Sequence, residues 1–338
     1  MLVENLPVPF DRRMWQEART LRDAGWQVSV ICPKGGDWRK SYEHLEGIHV
    51  YRYSPPAETR SKLSYVWEFL YCWAATAILS LVVFARHGFD VIHTANPPDT
   101  FFLLARLYKF LGKKFVYDQH DLCPEVFSAR FGMRRGVLYR LLLFLEQQSY
   151  RAADVVLATN QSYRRVAIER GHVPPERVFV VRSAPTRDRF RPAPADPAAR
   201  NGRRYLVCYL GVMAPQDGVD YLIRSIGHVV HDHRRDDIQF VLIGGGDSFE
   251  DLRTLAGELR LDGAVHFTGR VSDDDLQRYL SSADVCVAPD PKNDLNDVST
   301  MNKVLEYMAC GRPIVAFDLQ ETRFSAGEGA LYVFGLPD

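Results

Sequence analysis

The stretch PDPKNDLNDVSTMNKVLEYMACGRPIVAF, from Pro289 to Phe317, carries the densest set of side chains able to bind and orient a polar ligand. On a helical wheel Ser299, Asn302, Lys303 and Glu306 share one side. Met301, Val304, Leu305 and Met308 share another, at the spacing of a core-facing stripe. Free N–H groups and the dipole at a helix start suit a phosphate; Lys303 adds a cation, and Glu306 can accept hydrogen bonds from hydroxyls. Ser299 and Thr300 add hydroxyls just ahead of that turn. Taken alone, such a helix is an ordinary amphipathic helix with a solvated charged face; the surrounding loops favour a ligand.

Gly211-Val212-Met213-Ala214-Pro215-Gln216-Asp217-Gly218 follows an apolar run and opens a helical one. The N–H groups around Gly211, Gln216, Asp217 and Gly218 could therefore cradle a diphosphate. Gly245, in the run Gly244–Asp247, is a second site of close backbone approach. In the first half, Tyr117 to Glu125 concentrates Asp118, His120, Asp121 and Glu125 at a strand end, too many ionisable groups to bury without a purpose. Asn96 ends the preceding strand. Arg12 and Arg13 follow the first apolar run and suit phosphate groups, or else are first-turn charges. Ser272-Asp273-Asp274-Asp275 contains a D-x-D, but Ser272 as N-cap with Asp275 three residues on reads as a helix start. No metal-ligand spacing occurs elsewhere, so no metal is expected.

Short apolar runs alternate with helical patterns, the grammar of parallel sheets covered by helices. Strands are expected at Trp26–Ile31, Gly47–Tyr51, Val91–His93, Lys114–Tyr117, Val155–Ala158 and Phe179–Arg182. Helices lie between them at Arg13–Ala24, Leu63–Arg86, Thr100–Leu111 and Gly136–Ala152. The Pro-, Ala- and Arg-rich stretch Arg182–Arg204 reads as a linker. The pattern then restarts with strands Leu206–Leu210, Phe240–Ile243, Val265–Thr268, Val285–Ala288, Ile314–Phe317 and Ala330–Val333. Helices Val219–Val230, Ser248–Leu259 and Asp273–Ser281 separate the first four.

With 338 residues, 46% hydrophobic and 25% charged, the chain reads as a soluble two-domain protein. Lys+Arg and Asp+Glu are equal at 42, which leaves no footprint for nucleic acid. Six scattered cysteines read as small buried hydrophobes of a reducing compartment. The uncharged run Phe69–Ala85 is near the short limit of about 17 residues for a membrane span. A span there would split one sheet across the membrane, so a helix buried in the first domain is expected. Contact with lipid, shared with the basic and apolar segment Met133–Arg151, is the alternative.

The run LEYMACGRPIVA around Glu306 resembles the nucleotide-sugar-binding segment of the family 4 (group 1) glycosyltransferases, which include bacterial exopolysaccharide and O-antigen enzymes. That family carries two glutamates separated by seven residues. Glu306 matches the second, which implies that it grips the donor ribose; Val298 stands at the first. The first glutamate's contact with the transferred sugar passes to no direct heir, with Asp297, Ser299 and Thr300 as candidates. The family's Arg and Lys in the Gly211 loop are replaced by Val212 and Gln216-Asp217, which leaves Lys303 to supply charge. His266–Val271, including Arg270 and Val271, resembles the segment whose backbone holds the nucleobase. His120 matches a histidine near the transferred sugar, with Asp121 beside it.

The resemblance implies an α/β protein of GT-B fold, with two Rossmann-like domains facing a cleft. Residues 1–185 would form the acceptor-side domain, 186–204 the linker and 205–338 the nucleotide-sugar domain. Arg12, Arg13, Asn96 and Glu125 would hold the acceptor. Both ends read as clipped, since Met1–Val3 is short for a first strand and the family's final helices are absent. The implied activity is retaining transfer, without metal or other cofactor, from a nucleoside diphosphate sugar (UDP-linked foremost) to a lipid-linked or glycan acceptor. Surface polysaccharide synthesis is the expected role, in the cytoplasm or peripheral on the inner membrane face. A UDP-sugar epimerase of the same architecture and a non-catalytic nucleotide-sugar binder are the alternatives. A dinucleotide oxidoreductase lacks its G-x-G-x-x-G, and no G-x-S-x-G, Walker or H-E-x-x-H sequence occurs.

Overall fold

Strand and helix alternate through both halves of the chain, as the apolar pattern requires. The computed structural model describes residues 1–56, 62–131, 136–187 and 189–334. It divides into two units, Met1–Ser128 with Met133–Arg182, and Ser183–Asp338 with Ala129–Gly132.

The first unit's strands are β1 (Ser29–Pro33), β2 (Tyr42–Leu45), β3 (Ile48–Tyr53), β4 (Val91–Ala95), β5 (Lys114–Gln119), β6 (Val155–Ala158) and β7 (Val178–Val180). They form the orders β1-β3-β2 and β4-β5-β6-β7, parallel except for the edge pair β2 and β3. Leu2 joins the two groups, bridging to Ile31 on one side and Thr94 on the other. Its N–H donates to the His93 carbonyl at 2.8 Å, and its carbonyl accepts from the Ala95 N–H at 3.2 Å. Short as it is, Met1–Val3 therefore occupies the middle of the sheet and leaves no gap there.

Helices α1 (Arg12–Asp23), α2 (Lys62–His87), α3 (Phe102–Lys109), α4 (Cys123–Phe131), α5 (Val137–Ala152) and α6 (Gln161–Glu169) connect these strands. The Asp11 carboxylate caps α1 by accepting the Met14 N–H at 3.0 Å, and α1 buries Met14 and Ala18 against Val30 and Val50. The expectation that α2 is buried is corrected: only 22% of its apolar window is enclosed. Trp67, Leu70, Tyr71, Ile78 and Leu81 are exposed along one stripe. Because α2 connects β3 to β4 within one sheet, it does not cross a membrane in this fold. Met133, Arg134 and Arg135 of the basic and apolar segment lie outside the described residues.

The second unit carries β8 (Tyr205–Leu210), β9 (Ile238–Ile243), β10 (Val265–Gly269), β11 (Val285–Ala288), β12 (Ile314–Phe317) and β13 (Ala330–Val333). They form one parallel sheet of order β10-β9-β8-β11-β12-β13. Helices α7 (Val219–Gly227), α8 (Phe249–Glu258), α9 (Asp273–Ser282), α10 (Asn302–Ala309) and α11 (Gln320–Ala326) cover it. The stretch expected as a linker packs onto this unit. Phe190 and Ala199 join the core with Leu206 and Cys286, and Arg200 grips Asp284 at 2.6 and 2.9 Å.

Candidate functional site

In the second unit the chain reverses its course across the sheet between β8 and β11. Loops after these strands border the position where open α/β sheets take ligands. Tyr307 fixes α10 there: its hydroxyl donates to the Val287 carbonyl at 3.1 Å and accepts the Leu210 N–H at 2.8 Å. The loops are closely packed. A Cβ on Gly218, at φ +66°, would lie 2.2 Å from the Pro289 carbonyl oxygen, and one on Gly244, at φ +127°, 1.9 Å from that of Gly211. Asn296 ties them together, donating from Nδ2 to the Gln216 carbonyl at 3.0 Å and the Pro291 carbonyl at 2.9 Å.

Lys303 is buried among these loops. Its Nζ donates to Asp290 Oδ1 at 2.7 Å and lies 5.1 Å from the Tyr209 ring centroid. Burial disfavours the ammonium, but Asp290 against it and Asp217 nearby more than offset this, and its pKa is raised. Its charge is thus already matched within the protein. Glu306, one turn further along α10, is half-buried; desolvation pushes it up to about 7 against the pull of Arg189 and Lys303. Among the described residues the Glu306 carboxylate makes no hydrogen bond, and neither do the N–H groups of Gly245 and Gly246. A Cβ on Gly245 would meet nothing within 4 Å. Asp290 Oδ2 and Gln216 Oε1 are buried acceptors to which no described residue donates. Open N–H groups suit an anion, and unmatched carboxylate and amide oxygens suit hydroxyls.

The first unit's cluster is organised differently. Asp118 and His120 leave the end of β5, and Arg13 reaches them from α1. Arg13 donates from Nε to His120 Nε2 at 2.9 Å, from Nη2 to Asp118 Oδ1 at 2.9 Å and from Nη1 to the Val181 carbonyl at 2.8 Å. His120 Nε2 also stands 2.7 Å from Asp118 Oδ2. Burial alone would favour the acid form of Asp118, but His120, His93 and Arg13 hold it well below the usual carboxylate range. Glu17, 3.1 Å from Arg13, is pushed up to about 9 by burial and by the Asp118 charge. Glu17, Asp118 and His120 have the spacing of metal ligands, yet the Arg13 guanidinium already contacts all three.

Several expected roles meet partners already in place. The Asn96 carbonyl oxygen accepts the N–H groups of His120 and Asp121 at 2.6 and 3.1 Å, so Asn96 shapes the turn that carries His120. Asp121, whose pKa burial raises, lies in that turn. Glu125 is paired with Arg170, which also grips Glu146 at 2.7 Å. Arg12 is exposed. In the second unit the N–H groups of Gly211, Met213, Ala214 and Asp217 are taken by the Ile243 and Gly245 carbonyls, the Asp217 carboxylate and the Ala214 carbonyl, while among the described residues those of Gln216 and Gly218 are open like those of Gly245 and Gly246. Asp297 accepts the Gln320 N–H at 2.9 Å and pairs with Lys292 at 3.4 Å, while the Ser299 hydroxyl donates to the Leu295 carbonyl at 2.7 Å. Thr300 is half-buried, Asn302 exposed, Arg270 exposed and Val271 packed on the core. Ser272 caps α9 as expected. The helical wheel needs one correction: Met308 is exposed, and Lys303, Val304 and Tyr307 are the buried residues of α10. Asp290 and Asn296 escaped the sequence reading, although an Asp just after a buried strand was a signal.

Residues 11–184 match the glycosyl transferase 4-like domain, and residues 204–334 match the glycosyl transferases of group 1. Over 136 residues the chain is 35% identical to a GDP-mannose-dependent alpha-(1-6)-phosphatidylinositol monomannoside mannosyltransferase of Mycobacterium tuberculosis. That match covers 38% of this chain and 35% of the relative, so the chain spans about a third of that relative's length. Among solved structures, sucrose-phosphate synthase of Thermosynechococcus elongatus superposes with a TM-score of 0.71 at 21% identity, covering 96% of this chain and 80% of the other. The Anabaena protein HepE, solved with UDP and glucose, gives 0.67 at 18% identity, with 96% and 81% covered. These likenesses show the GT-B fold.

Proposed function

Since this chain belongs to the group 1 glycosyltransferases, we propose that it moves a sugar from a nucleoside diphosphate sugar to a lipid-linked or glycan acceptor in surface polysaccharide synthesis. The observation that carries this reading is the second unit's pairing of open amides at Gly245 and Gly246 with unmatched acceptors at Asp290, Gln216 and Glu306. A ligand that is at once an anion and a donor of hydroxyl hydrogens answers both. The donor is UDP-linked in this reading; the relative named for GDP-mannose makes GDP the other base to test.

Glu306 binds the donor ribose, and the amides of the Gly245 loop receive the diphosphate. Transfer is retaining and uses no metal. The bond from the anomeric carbon to the diphosphate oxygen breaks with its electron pair going to the phosphate. The acceptor hydroxyl forms the new bond on the same face, and its proton passes to the departing diphosphate. His120, fixed by Asp118 and Arg13, attends the transferred sugar. The protein thus acts by positioning and by stabilising developing charge.

The acceptor is presented at the cytoplasmic face of a membrane. Two features support this: the exposed apolar stripe of α2, and Val137, Leu138, Leu141 and Phe144 exposed on α5 near the exposed Arg140 and Arg151. Incubation with UDP-glucose or GDP-mannose and a lipid extract should release the diphosphate and label the lipid. Interconversion of the donor without diphosphate release would favour an epimerase. Binding without any turnover would favour a non-catalytic binder.

A further inference from the structure

We infer that Asp290, braced by Lys303, is a specificity-determining residue that recognises a hydroxyl of the transferred sugar; this rests on the nucleotide-sugar reading of the same site. The Asp290 side chain is 2% exposed, and its two oxygens differ in their surroundings. Oδ1 accepts from Lys303 Nζ at 2.7 Å, whereas no described residue donates to Oδ2. A buried carboxylate oxygen left unmatched is costly, and such a group calls for an occupant that brings a hydrogen. Gln216 Oε1, in the loop across the β8–β11 reversal, is unmatched in the same sense. Two buried acceptors in neighbouring loops, tied together by Asn296, select an O–H donor over a further anion.

The ion pair itself explains why Lys303 is a poor phosphate clamp and a good brace. Its ammonium is spent on Asp290, and its Cε would lie 3.1 Å from a Cβ on Gly211, so the chain is held along its length. With Lys303 fixed, Asp290 keeps one orientation, which leaves Oδ2 as a directional acceptor. The other residues considered for contact with the transferred sugar are less suited. Asp297 is engaged by the Gln320 N–H and by Lys292, and the Ser299 hydroxyl donates to Leu295. Glu306 lies one turn along α10 from Lys303 and serves the ribose in the present reading.

The test is calorimetric titration of the full chain and its variants with UDP, GDP, UDP-glucose and GDP-mannose. In D290N the affinity for the nucleotide sugar should fall about tenfold or more, while that for the matching free diphosphate changes less than twofold. E306Q should weaken both ligands together. Because D290N strands a buried Lys303 charge, the D290N/K303Q double variant is measured beside it, and it should show the same selective loss. Equal losses for both ligands in the double variant, or no loss for either, would overturn the assignment; the latter would mean that Oδ2 meets only water. If the unaltered chain binds none of the four probes, the nucleotide-sugar reading fails first and this inference fails with it.

Discussion

The two units concentrate polar side chains at the same kind of place, the carboxyl ends of parallel strands, but treat them in opposite ways. In the first, Arg13 contacts Asp118, His120, Glu17 and the Val181 carbonyl, so the charges are balanced within the cluster even though neither Glu17 oxygen accepts a hydrogen bond from a described residue. In the second, Asp290 Oδ2, Gln216 Oε1, the Glu306 carboxylate and the amides of Gly245 and Gly246 lack protein partners among the described residues. A matched cluster holds a geometry before any ligand arrives, while an unmatched one keeps its hydrogen-bonding capacity for the ligand. The first unit therefore reads as a preassembled positioning device for His120, and the second as the receptor for the nucleotide sugar.

The sharpest way to break this contrast is through Arg13. R13M should lower unfolding free energy by about 3–5 kcal/mol, because it removes the guanidinium from the buried Asp118 carboxylate and leaves it only His120 and His93. A loss below about 1 kcal/mol in urea denaturation would show that the cluster is not mutually supporting. In the second unit E306Q should leave stability nearly intact and weaken nucleotide-sugar binding by about 1.5–3 kcal/mol, measured by calorimetry. Since Glu306 titrates near 7, donor affinity of the unaltered chain should fall as pH drops through that value and the carboxylate takes up a proton. E306Q should flatten this profile.

An effect of comparable size concerns Glu17, held at about 9 in the folded chain against an ordinary 4.5. Between those values the unfolded chain has released the proton that the folded one keeps, so this group's share of stability falls as pH rises from 4.5 through 9. The slope is about 1.4 kcal/mol per pH unit, and E17Q should remove it. Unfolding midpoints at pH 6 and pH 8 check this; an unchanged slope in E17Q would mean that Glu17 is ionised in the fold. The smallest effect is none at all: turnover should persist in excess EDTA, with Arg13 in place of a cation among Glu17, Asp118 and His120. A strict requirement restored by magnesium or manganese would contradict that.

How much of this could be read in advance follows from what each residue packs against. The strands β6, β11, β12 and β13 have the bounds the sequence implies, since short apolar runs closed by Gly, Pro or Asp leave little choice. β2 leaves no apolar signal because it is polar and pairs only with β3, and the place of Met1–Val3 is not legible because both of its partners are distant in sequence. The sequence marks Lys303 as a site residue, and its cation beside a helix start suggests a phosphate clamp. Its burial against Asp290 and Tyr209 depends on loops that meet only when the sheet reverses between β8 and β11. The same holds for Tyr307: the wheel predicted an apolar face, but which side of α10 meets the sheet is set by the hydroxyl's bonds to Leu210 and Val287.

The most direct test of the division between the units compares the donor affinity of H120A with that of E306Q, using the nucleotide sugar that the unaltered chain binds best. The account predicts that H120A binds it within about twofold of the unaltered chain while its turnover collapses, and that E306Q loses about tenfold or more in affinity. If H120A loses the donor and E306Q keeps it, the assignment of donor binding to the second unit is wrong.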